Sequence, residues 1–447
     1  MAHTPLNQTL NAVNLYLAVK LPLSRPSELQ TMKLTLSAIA LTLAMTSFSF
    51  AANTGGAVPT YTKDVAAILN KRCLECHRAG EAGPMAFQSY KDVRPWAKAI
   101  KQATLSRTMP PWHADPKVNH FSNDRRLTED ELATVAKWAD NGAPEGDAKD
   151  LPMPPTFVTG WKIGKPDFVI DTGADFKIPV DGVVKYQYYT VDPGFTEDKW
   201  VTAIEVRPQQ RSQIHHILVF VVEDGKRVTR AGEQFSDMLI GYAPGVPSIE
   251  WPKDTAFLIK AGSKLRFQVH YTPNGKESSD RSVLGLQFAK TAPKLRAFAT
   301  SAMQPRLKIP PGDPNYESHA MFTFPEDATL LDLTPHMHLR GKAFKYTITY
   351  PDGKSEELLN VPKYDFNWQL SYILAEPRKV PAGSKIEAVA WYDNSANNKY
   401  NPDPTKEVHW GDQTFEEMMI GFFNYTVPVD APLPPANAKP HASTPGN

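Results

Sequence analysis

The spacing of hydrophobic positions changes part-way along the chain, from a helical period to the alternation typical of β-strands. In "YTKDVAAILNKRC" the apolar residues Val65 and Leu69 fall on one helical face. "LTEDELATVAKWADNG" opens with a Thr128–Glu131 capping box and closes at Asn141–Gly142, which are helix start and stop signals. Residues 57–146 are therefore predicted to be helical.

From Trp161 to about Val427 the apolar residues alternate in short runs, such as "VKYQYYTV", "KWVTAIEV", "KLRFQVHY" and "FKYTITY". The turn signals "PDG", "PAG" and "PNG" separate several of these runs. This pattern is typical of antiparallel sandwiches and barrels. The loop "GAPEGDAKDLPMPPT" precedes the β region, and "PRLKIPPGDPNY" is the predicted joint within it.

The predicted fold is multidomain, with an all-α domain followed by two antiparallel β-sandwich, jelly-roll-like domains. We place the α domain at residues 53–150 and the β domains at 151–304 and 305–428. Residues 429–447 are rich in Pro and Ala and are predicted to be a disordered tail. Residues 1–52 are assigned to a leader and a signal peptide.

The assignment of a signal peptide rests on the stretch that begins at Met32. A short basic start leads into an apolar run, Leu34–Met45, and small residues suited to cleavage follow at Ser49 and Ala51. The apolar run is too short to span a bilayer as a stable helix, although an uncleaved anchor is the alternative. We expect Met32 to be the true start, residues 1–31 to be untranslated, and the mature protein to be periplasmic or otherwise exported.

Charge and cysteine content narrow the classes of function. The 49 basic and 48 acidic residues nearly cancel, so there is no electrostatic reason to expect nucleic acid or an anionic membrane as a partner. Only two cysteines occur, Cys73 and Cys76, so no disulfide framework stabilises the chain.

Both cysteines fall in "CLECH", which ends at His77 and matches the C-x-x-C-H pattern of covalent haem c attachment. Two thiols one helical turn apart can add across the two vinyl groups of a haem, and His77 then becomes the proximal iron ligand. No second C-x-x-C is present to complete a zinc site. The segment resembles a small class I cytochrome c domain and predicts one covalent haem c.

The sixth ligand of that haem is predicted to be Met109, in "SRTMPPWHADP". A thioether on a proline-containing loop is the arrangement that raises a haem potential for electron transfer. His113 and Met85 are the alternatives.

Six other histidines lie in or beside strand-like runs. His409, in "EVHWGDQTFEEMMIGF", is interpreted by default as a hydrogen-bonded core or rim residue. The others are His215 and His216 in "RSQIHHILVFVV", His270 in "RFQVHYTPNG", and His336 and His338 in "DLTPHMHLRGK". Imidazoles two residues apart on a strand point the same way and form a natural chelate for a transition metal. Adjacent imidazoles diverge on a regular strand. Sharing of one metal by the first pair therefore predicts a local irregularity at residues 214–216, in contrast to a regular strand at 336–338.

Together with "FEEMMIGFF", these segments resemble the copper type II, ascorbate-dependent monooxygenases, the family of peptidylglycine α-hydroxylating monooxygenase and dopamine β-monooxygenase. The resemblance covers residues 160–427 and implies two copper ions on two β-sandwich domains. It implies an electron-transfer copper on His215, His216 and His270. It also implies an O₂-binding copper on His336, His338 and Met418, with Met419 as the neighbouring alternative.

Two positions depart from the peptide-hydroxylating relatives. Thr334 stands where those enzymes have a substrate-binding arginine, and Phe422 stands where they have a tyrosine. The sequence therefore does not identify the substrate.

The expected function is hydroxylation of a C–H bond in an unidentified organic substrate by O₂. The haem would take electrons from a periplasmic donor and pass them to the first copper, at a high effective concentration because it is on the same chain. The alternative is a periplasmic haem and copper protein that transfers electrons or binds copper without hydroxylase activity.

Overall fold

Residues 57–223, 238–243 and 248–431 are described by a computed structural model of the chain. The helices of this part are short: α1 (Ala66–Arg72), α2 (Tyr90–Val93), α3 (Ala97–Leu105) and α4 (Glu129–Asp140). The π-helical turn Tyr61–Val65 precedes α1, and short 3₁₀ turns occur at Arg94–Trp96, Ala148–Asp150 and Arg211–Gln213. The predicted signal peptide, and the predicted tail from residue 432 onward, lie outside the described residues.

Strands make up most of the regular structure between residues 168 and 428. In chain order they are β1 (Phe168–Asp171), β2 (Phe176–Ile178), β3 (Gln187–Val191), β4 (Lys199–Arg207), β5 (Ile214–Val222), β6 (Met238–Tyr242), β7 (Ser248–Glu250), β8 (Thr255–Ile259), β9 (Lys264–Tyr271), β10 (Ser278–Asp280), β11 (Val283–Phe288), β12 (Leu295–Met303), β13 (Lys308–Ile309), β14 (Tyr316–Thr323), β15 (Ala328–His336), β16 (Gly341–Thr349), β17 (Ser355–Val361), β18 (Tyr372–Val380), β19 (Lys385–Tyr392), β20 (Val408–His409) and β21 (Ile420–Pro428).

One large sheet runs through both parts of the β region. Its strand order is β1-β11-β4-β8-β12-β21-β15-β18, and β7 also pairs with β4. Strand β12 joins the two parts, because it is parallel to β8 on one side and antiparallel to β21 on the other. The sheet thus crosses the predicted boundary at residues 304/305, and the division into two β domains stays a prediction.

Two four-stranded sheets cover the large sheet in sandwich fashion. The sheet β3-β9-β5-β6 packs with the first part, in a core that contains Ile204, Ile217 and Phe267. The sheet β14-β19-β16-β17 packs with the second part, around Leu333 and Tyr346. Burial of alternate apolar side chains from facing sheets is the expected origin of both cores.

The N-terminal helices enclose a small core of their own around Val65, Leu69, Val135 and Trp138. The capping box at the start of α4 is confirmed, since Thr128 and Glu131 exchange side-chain and backbone hydrogen bonds. The two quoted helical patterns thus correctly located α1 and α4, although residues 57–146 as a whole are not helical.

The prediction of an all-α cytochrome c domain is wrong. The α-helices of this region have only 7, 4, 9 and 12 residues, and the chain as a whole is mainly β-structure. The segment between α3 and α4 contains no α-helix and packs on the second sandwich, where Trp112 and Phe121 enter the core. Phe121 also forms an isolated antiparallel bridge with Leu374 of β18. The side chains of Trp112 and Phe121 are thus buried by the second sandwich and not by the helical core.

In the described ranges, no helix is both long enough and apolar enough to cross a membrane.

Candidate metal centre

A β-bulge at the start of β5 places the rings of two adjacent histidines, His215 and His216, both beside the ring of His270. Ile214 pairs with Tyr271 and His216 with His270, so His215 is an extra residue between two successive pairs. Ile214 and Ile217 both enter the core of the first sandwich, which a regular strand would not allow for residues of opposite parity. The predicted irregularity at residues 214–216 is confirmed.

The three imidazoles of His215, His216 and His270 form one compact group. Each offers a ligand nitrogen within 4.8 Å of the others. The Nδ1 atoms of His215 and His216 lie 3.1 Å apart, and the ring centroids of His215 and His270 lie 4.8 Å apart. Tyr186 packs beside this group, with ring centroids 4.6 Å from His270 and 5.3 Å from His216.

The second pair, His336 and His338, does not lie on a regular strand, so that prediction is wrong. Strand β15 ends at His336. Beyond it the backbone N–H groups bond to the side chain of Glu417 and not to a neighbouring strand. Its carboxylate accepts the N–H groups of His338 (2.8 Å) and Arg340 (2.6 Å). The two rings nevertheless remain neighbours, with centroids 5.3 Å apart.

Hydrogen bonds orient both rings of the second pair. Nδ1 of His336 lies 2.6 Å from Oε1 of Gln369, and Nδ1 of His338 lies 3.2 Å from the carbonyl oxygen of Glu416. Both partners are acceptors, so each ring carries its proton on Nδ1 and directs the lone pair of Nε2 away from them. That tautomer allows each ring to bind a metal through Nε2.

The two histidine groups meet in one cluster, which we call the five-histidine cluster: His215, His216, His270, His336 and His338. The rings of His216 and His336 have centroids 6.4 Å apart. Phe366 closes one side of the cluster, since its ring stacks on His215 at 4.7 Å and lies 6.1 Å from His338.

Burial keeps these histidines neutral. It lowers the pKa of His215 and His336 to about 4 and that of His270 to about 3, and it holds the pKa of His216 and His338 well below the usual range. Buried ring nitrogens of His215, His216, His270 and His338 have no hydrogen-bond partner. Neutral imidazoles with uncompensated buried nitrogens fit a transition metal, which would supply the missing partner.

The two candidate methionines face different cores. Met418 packs with Leu218 and Phe422 in a small cluster between β5 and β21, and Leu218 lies two residues after His216. Met419 is fully buried in the core of the second sandwich. Met418 is thus the methionine on the side of β5.

A cavity of about 240 Å³ adjoins the cluster, and His216 and His336 both line it. Apolar residues of β6, β15, β18 and β21 form much of its wall, while Asp332 and Asn424 contribute polar groups. Thr334 and Phe422, the two positions that depart from the peptide-hydroxylating relatives, also line it.

Sequence patterns did not identify Gln369, Phe366, Tyr186 or Asp332. Gln369 and Phe366 lie in the loop between β17 and β18, Tyr186 precedes β3, and Asp332 lies on β15. The role of each depends on contacts across the fold, so no local spacing marks it. Glu417 stands within the quoted segment "FEEMM", but its carboxylate acts on backbone N–H groups that a motif cannot reveal.

The C-x-x-C-H motif begins directly after α1. The N–H of His77 donates to the carbonyl of Cys73 at 2.9 Å, so both thiols and the imidazole lie on one tight turn. Nδ1 of His77 donates to the carbonyl of Met85 at 3.1 Å, and its ring stacks on Phe87 at 4.5 Å. Both thiols are free. These residues fit a covalent haem with iron bound at Nε2 of His77.

The three candidates for the sixth haem ligand differ in their surroundings. Met85 packs partly against the helical core and contributes its carbonyl to His77. Met109 follows α3, and its N–H donates to the carbonyl of Ala103 at 3.1 Å. His113 lies near Asp365 and Lys363, whose charges act on its pKa, and its Nε2 is buried without a hydrogen-bond partner. The choice of Met109 stays a prediction.

Comparisons with known proteins identify no family. No protein-family model and no curated protein matches the chain. Among solved structures, the major capsid protein P2 of bacteriophage PM2 is 11% identical, with 57% of this chain and 97% of that chain covered and a TM-score of 0.25. The VP2 subviral particle of infectious bursal disease virus is 9% identical, with 61% and 75% covered and a TM-score of 0.18. Similarity this weak supports no argument about function.

Proposed function

We propose that this chain is an exported, copper-dependent monooxygenase that carries a covalent haem c and hydroxylates a C–H bond of an organic substrate. The convergence of five neutral histidines, four of them buried and His215 partly buried, beside an apolar cavity carries the proposal. His215, His216 and His270 would hold one copper, and His336, His338 and Met418 the other. Bound copper would supply one-electron redox chemistry and the reaction with O₂.

The overall reaction joins one oxygen atom of O₂ to the substrate carbon and reduces the other to water. It consumes two electrons and two protons, because R–H, O₂, 2e⁻ and 2H⁺ become R–OH and H₂O. Cys73 and Cys76 would attach the haem, which would supply one-electron redox chemistry with a donor outside the cytoplasm. The two histidine groups divide this work, one receiving electrons and the other facing O₂.

The residues around the cluster would position the reactants. Gln369 and the carbonyl of Glu416 fix the rings of His336 and His338. Phe366 covers His215 and His338 and excludes water from that side. The cavity beside His216 and His336 provides room for the substrate, with apolar walls that favour a hydrocarbon body.

O₂ uptake by the copper-loaded protein, reduced with ascorbate, tests this proposal. We expect the His338→Ala variant to lose O₂ uptake about a hundredfold or more, because it removes a buried ligand that a neighbouring residue cannot replace. His319→Ala is the matched control, since His319 lies outside the cluster and pairs with Glu317 and Glu387.

Two results would separate the proposal from its alternatives. A protein that binds copper and exchanges electrons but consumes no O₂ is an electron-transfer or copper-binding protein. A protein that takes up zinc in preference to copper, with unchanged behaviour of His338→Ala, holds a structural metal instead.

A further inference from the structure

A half-buried ion pair joins the C-x-x-C-H turn to the strand that carries the first histidines. Nη1 of Arg211 donates to both carboxylate oxygens of Glu81, each at 2.7 Å. The two side chains are only 21% and 19% exposed, so solvent screens the pair weakly. Glu81 lies four residues after His77, and Arg211 lies four residues before His215.

A second arginine ties Glu81 to the motif itself. Nη2 of Arg78 lies 2.8 Å from Oε1 of Glu81. Nη1 of Arg78 donates to the carbonyls of Leu74 and Glu75, at 2.9 and 2.8 Å, inside the C-x-x-C-H turn. Continuous hydrogen bonds therefore run from the carbonyls of the motif through Arg78 and Glu81 to Arg211.

At the Arg211 end of this route, hydrogen bonds fix the 3₁₀ turn Arg211–Gln213 to the segment that follows β9. The carbonyl of Gln213 accepts the N–H of Thr272 at 2.8 Å, and its side-chain amide donates to the carbonyl of Lys276 at 2.9 Å. The hydroxyl of Ser278 donates to Oε1 of Gln213. The turn leads directly into the bulge at His215, and Thr272 follows β9, which carries His270.

Tyr242 lies beside the same contact. It is buried, and its backbone pairs with Ile217, the residue after His216. Burial raises the pKa of its phenol, while the charge of Arg211 lowers that pKa and the charges of Glu81 and Cys76 raise it. The phenol is thus near enough to Arg211, Glu81 and Cys76 for their charges to act on its pKa.

We propose that the Glu81–Arg211 ion pair is the electron-entry contact between the haem segment and the His215/His216/His270 site. This inference rests on the proposed function. Electron tunnelling favours continuous routes through covalent and hydrogen bonds over jumps through space. One electron passes from reduced haem through this route to a Cu(II) ion on the three histidines. The iron is oxidised, the copper is reduced, no bond breaks and no proton moves.

The chain offers a matched control at the same interface. Nζ of Lys162 forms an ion pair with Glu75 of the motif at 3.0 Å, but these side chains are 35% and 51% exposed. Lys162 precedes β1, and no histidine of the cluster lies on β1 or in the segment that leads to it. Removing its charge disturbs the same boundary without touching the route through Arg211.

The experiment uses the full chain with haem and copper, without O₂, and a laser flash of a flavin donor to reduce the haem. Reoxidation of the haem is followed by its visible absorbance, and reduction of copper by loss of the Cu(II) EPR signal. We expect Glu81→Ala and Arg211→Ala, which remove the hydrogen-bonding side chains, to slow reoxidation by about tenfold or more, and Lys162→Ala to change it less than twofold. Midpoint potentials of haem and copper, measured in each variant, exclude a change in driving force.

Wild-type rates in Glu81→Ala would overturn the inference. Glu81 lies outside the turn Arg211–Gln213 that leads into the bulge, so this variant decides the question even where Arg211→Ala folds poorly. Absence of any electron transfer from haem to copper in the wild-type protein would also overturn it. Copper content and O₂ uptake with ascorbate remain measurable in that case, so failure of the route is distinguishable from failure of the monooxygenase proposal.

Discussion

Gln369 is the residue through which the ring of His336 is held. Its Oε1 accepts the Nδ1 proton of His336 at 2.6 Å, and this leaves Nε2 of His336 unprotonated for a metal. We expect Gln369→Ala to weaken copper binding at the His336/His338 side by about tenfold to a hundredfold, because the ring loses its orientation. Competition with a Cu(I) chelator measures the affinity.

A suitable control for this variant is Gln304→Ala. The side chain of Gln304 forms hydrogen bonds to the backbone of Arg306 and His319, and neither residue belongs to the five-histidine cluster. Equal copper affinity of Gln369→Ala and the wild-type protein would show that the hydrogen bond does not orient a ligand.

Asp332 is a partly buried acid that lines the cavity. Burial raises the pKa of its carboxyl to about 7, although Asn424 donates to Oδ2 at 2.8 Å. Because this pKa lies above the unfolded value, the stabilising contribution of the protonated acid is full below about pH 4 and is lost as the pH rises to 7. Asp332→Asn should therefore match the wild-type protein at pH 4 and exceed its free energy of unfolding by up to about 4 kcal/mol at pH 8.

Denaturant unfolding of both proteins across this pH range measures the difference. A constant difference between pH 4 and pH 8 would mean that the carboxyl does not change its protonation state on folding.

At the scale of elements, the bulge in β5 is the feature that the sequence predicted best. An adjacent His-His pair before an apolar run is compatible with a shared metal only if the strand is irregular there, and His215 is the extra residue. The end of β15 was not predictable in the same way. Strand β15 stops at His336 because Glu417, about eighty residues later in the chain, captures the following N–H groups.

The segment between α3 and α4 shows another limit of local patterns. Its prolines and aromatic residues resemble a haem-ligand loop, but the aromatic side chains reach a core that is formed by distant strands. Trp112 contacts Tyr372 at 4.9 Å and Phe121 at 6.0 Å between ring centroids. Only the tertiary fold brings these partners together.

Trp112→Ala tests this packing. We expect the free energy of unfolding to fall by about 3 kcal/mol or more, because the substitution leaves a cavity in the second sandwich core. Trp96→Ala is the control, since Trp96 is 42% exposed and should change stability by about 0.5 kcal/mol or less. A similar small effect for Trp112→Ala would contradict the docking of this segment on the β-structure.

At the scale of the whole molecule, the sequence predicted β-sandwich packing and the convergence of histidines from distant strands. It did not predict the continuous sheet across both halves, because strand order depends on pairings such as β8 with β12 that no local pattern encodes. Nor did it predict the closeness of His216 and His336, which lie on different sheets.

The five-histidine cluster makes the metal-free protein sensitive to acid. Their pKa values are lowered, so the unfolded chain takes up protons below pH 6.5 that the folded chain does not. Stability is therefore full above pH 6.5 and is lost as the pH falls toward 4. Asp332 and Glu417, with pKa values raised to about 7, act in the opposite direction but are fewer.

We expect the Tm of the metal-free protein to fall between pH 7 and pH 5, and the double variant His215→Asn/His270→Asn to show a smaller fall. Calorimetry measures both. An equal fall in the double variant would assign the acid sensitivity to other groups.

Copper titration of the metal-free chain, followed by EPR, tests the central claim most directly. The account predicts two copper ions per chain, and it predicts spin–spin broadening between them in the oxidised protein, because the rings of His216 and His336 are only 6.4 Å apart. A single bound ion, or two ions with the unperturbed signals of isolated sites, would contradict a copper centre built from the five-histidine cluster.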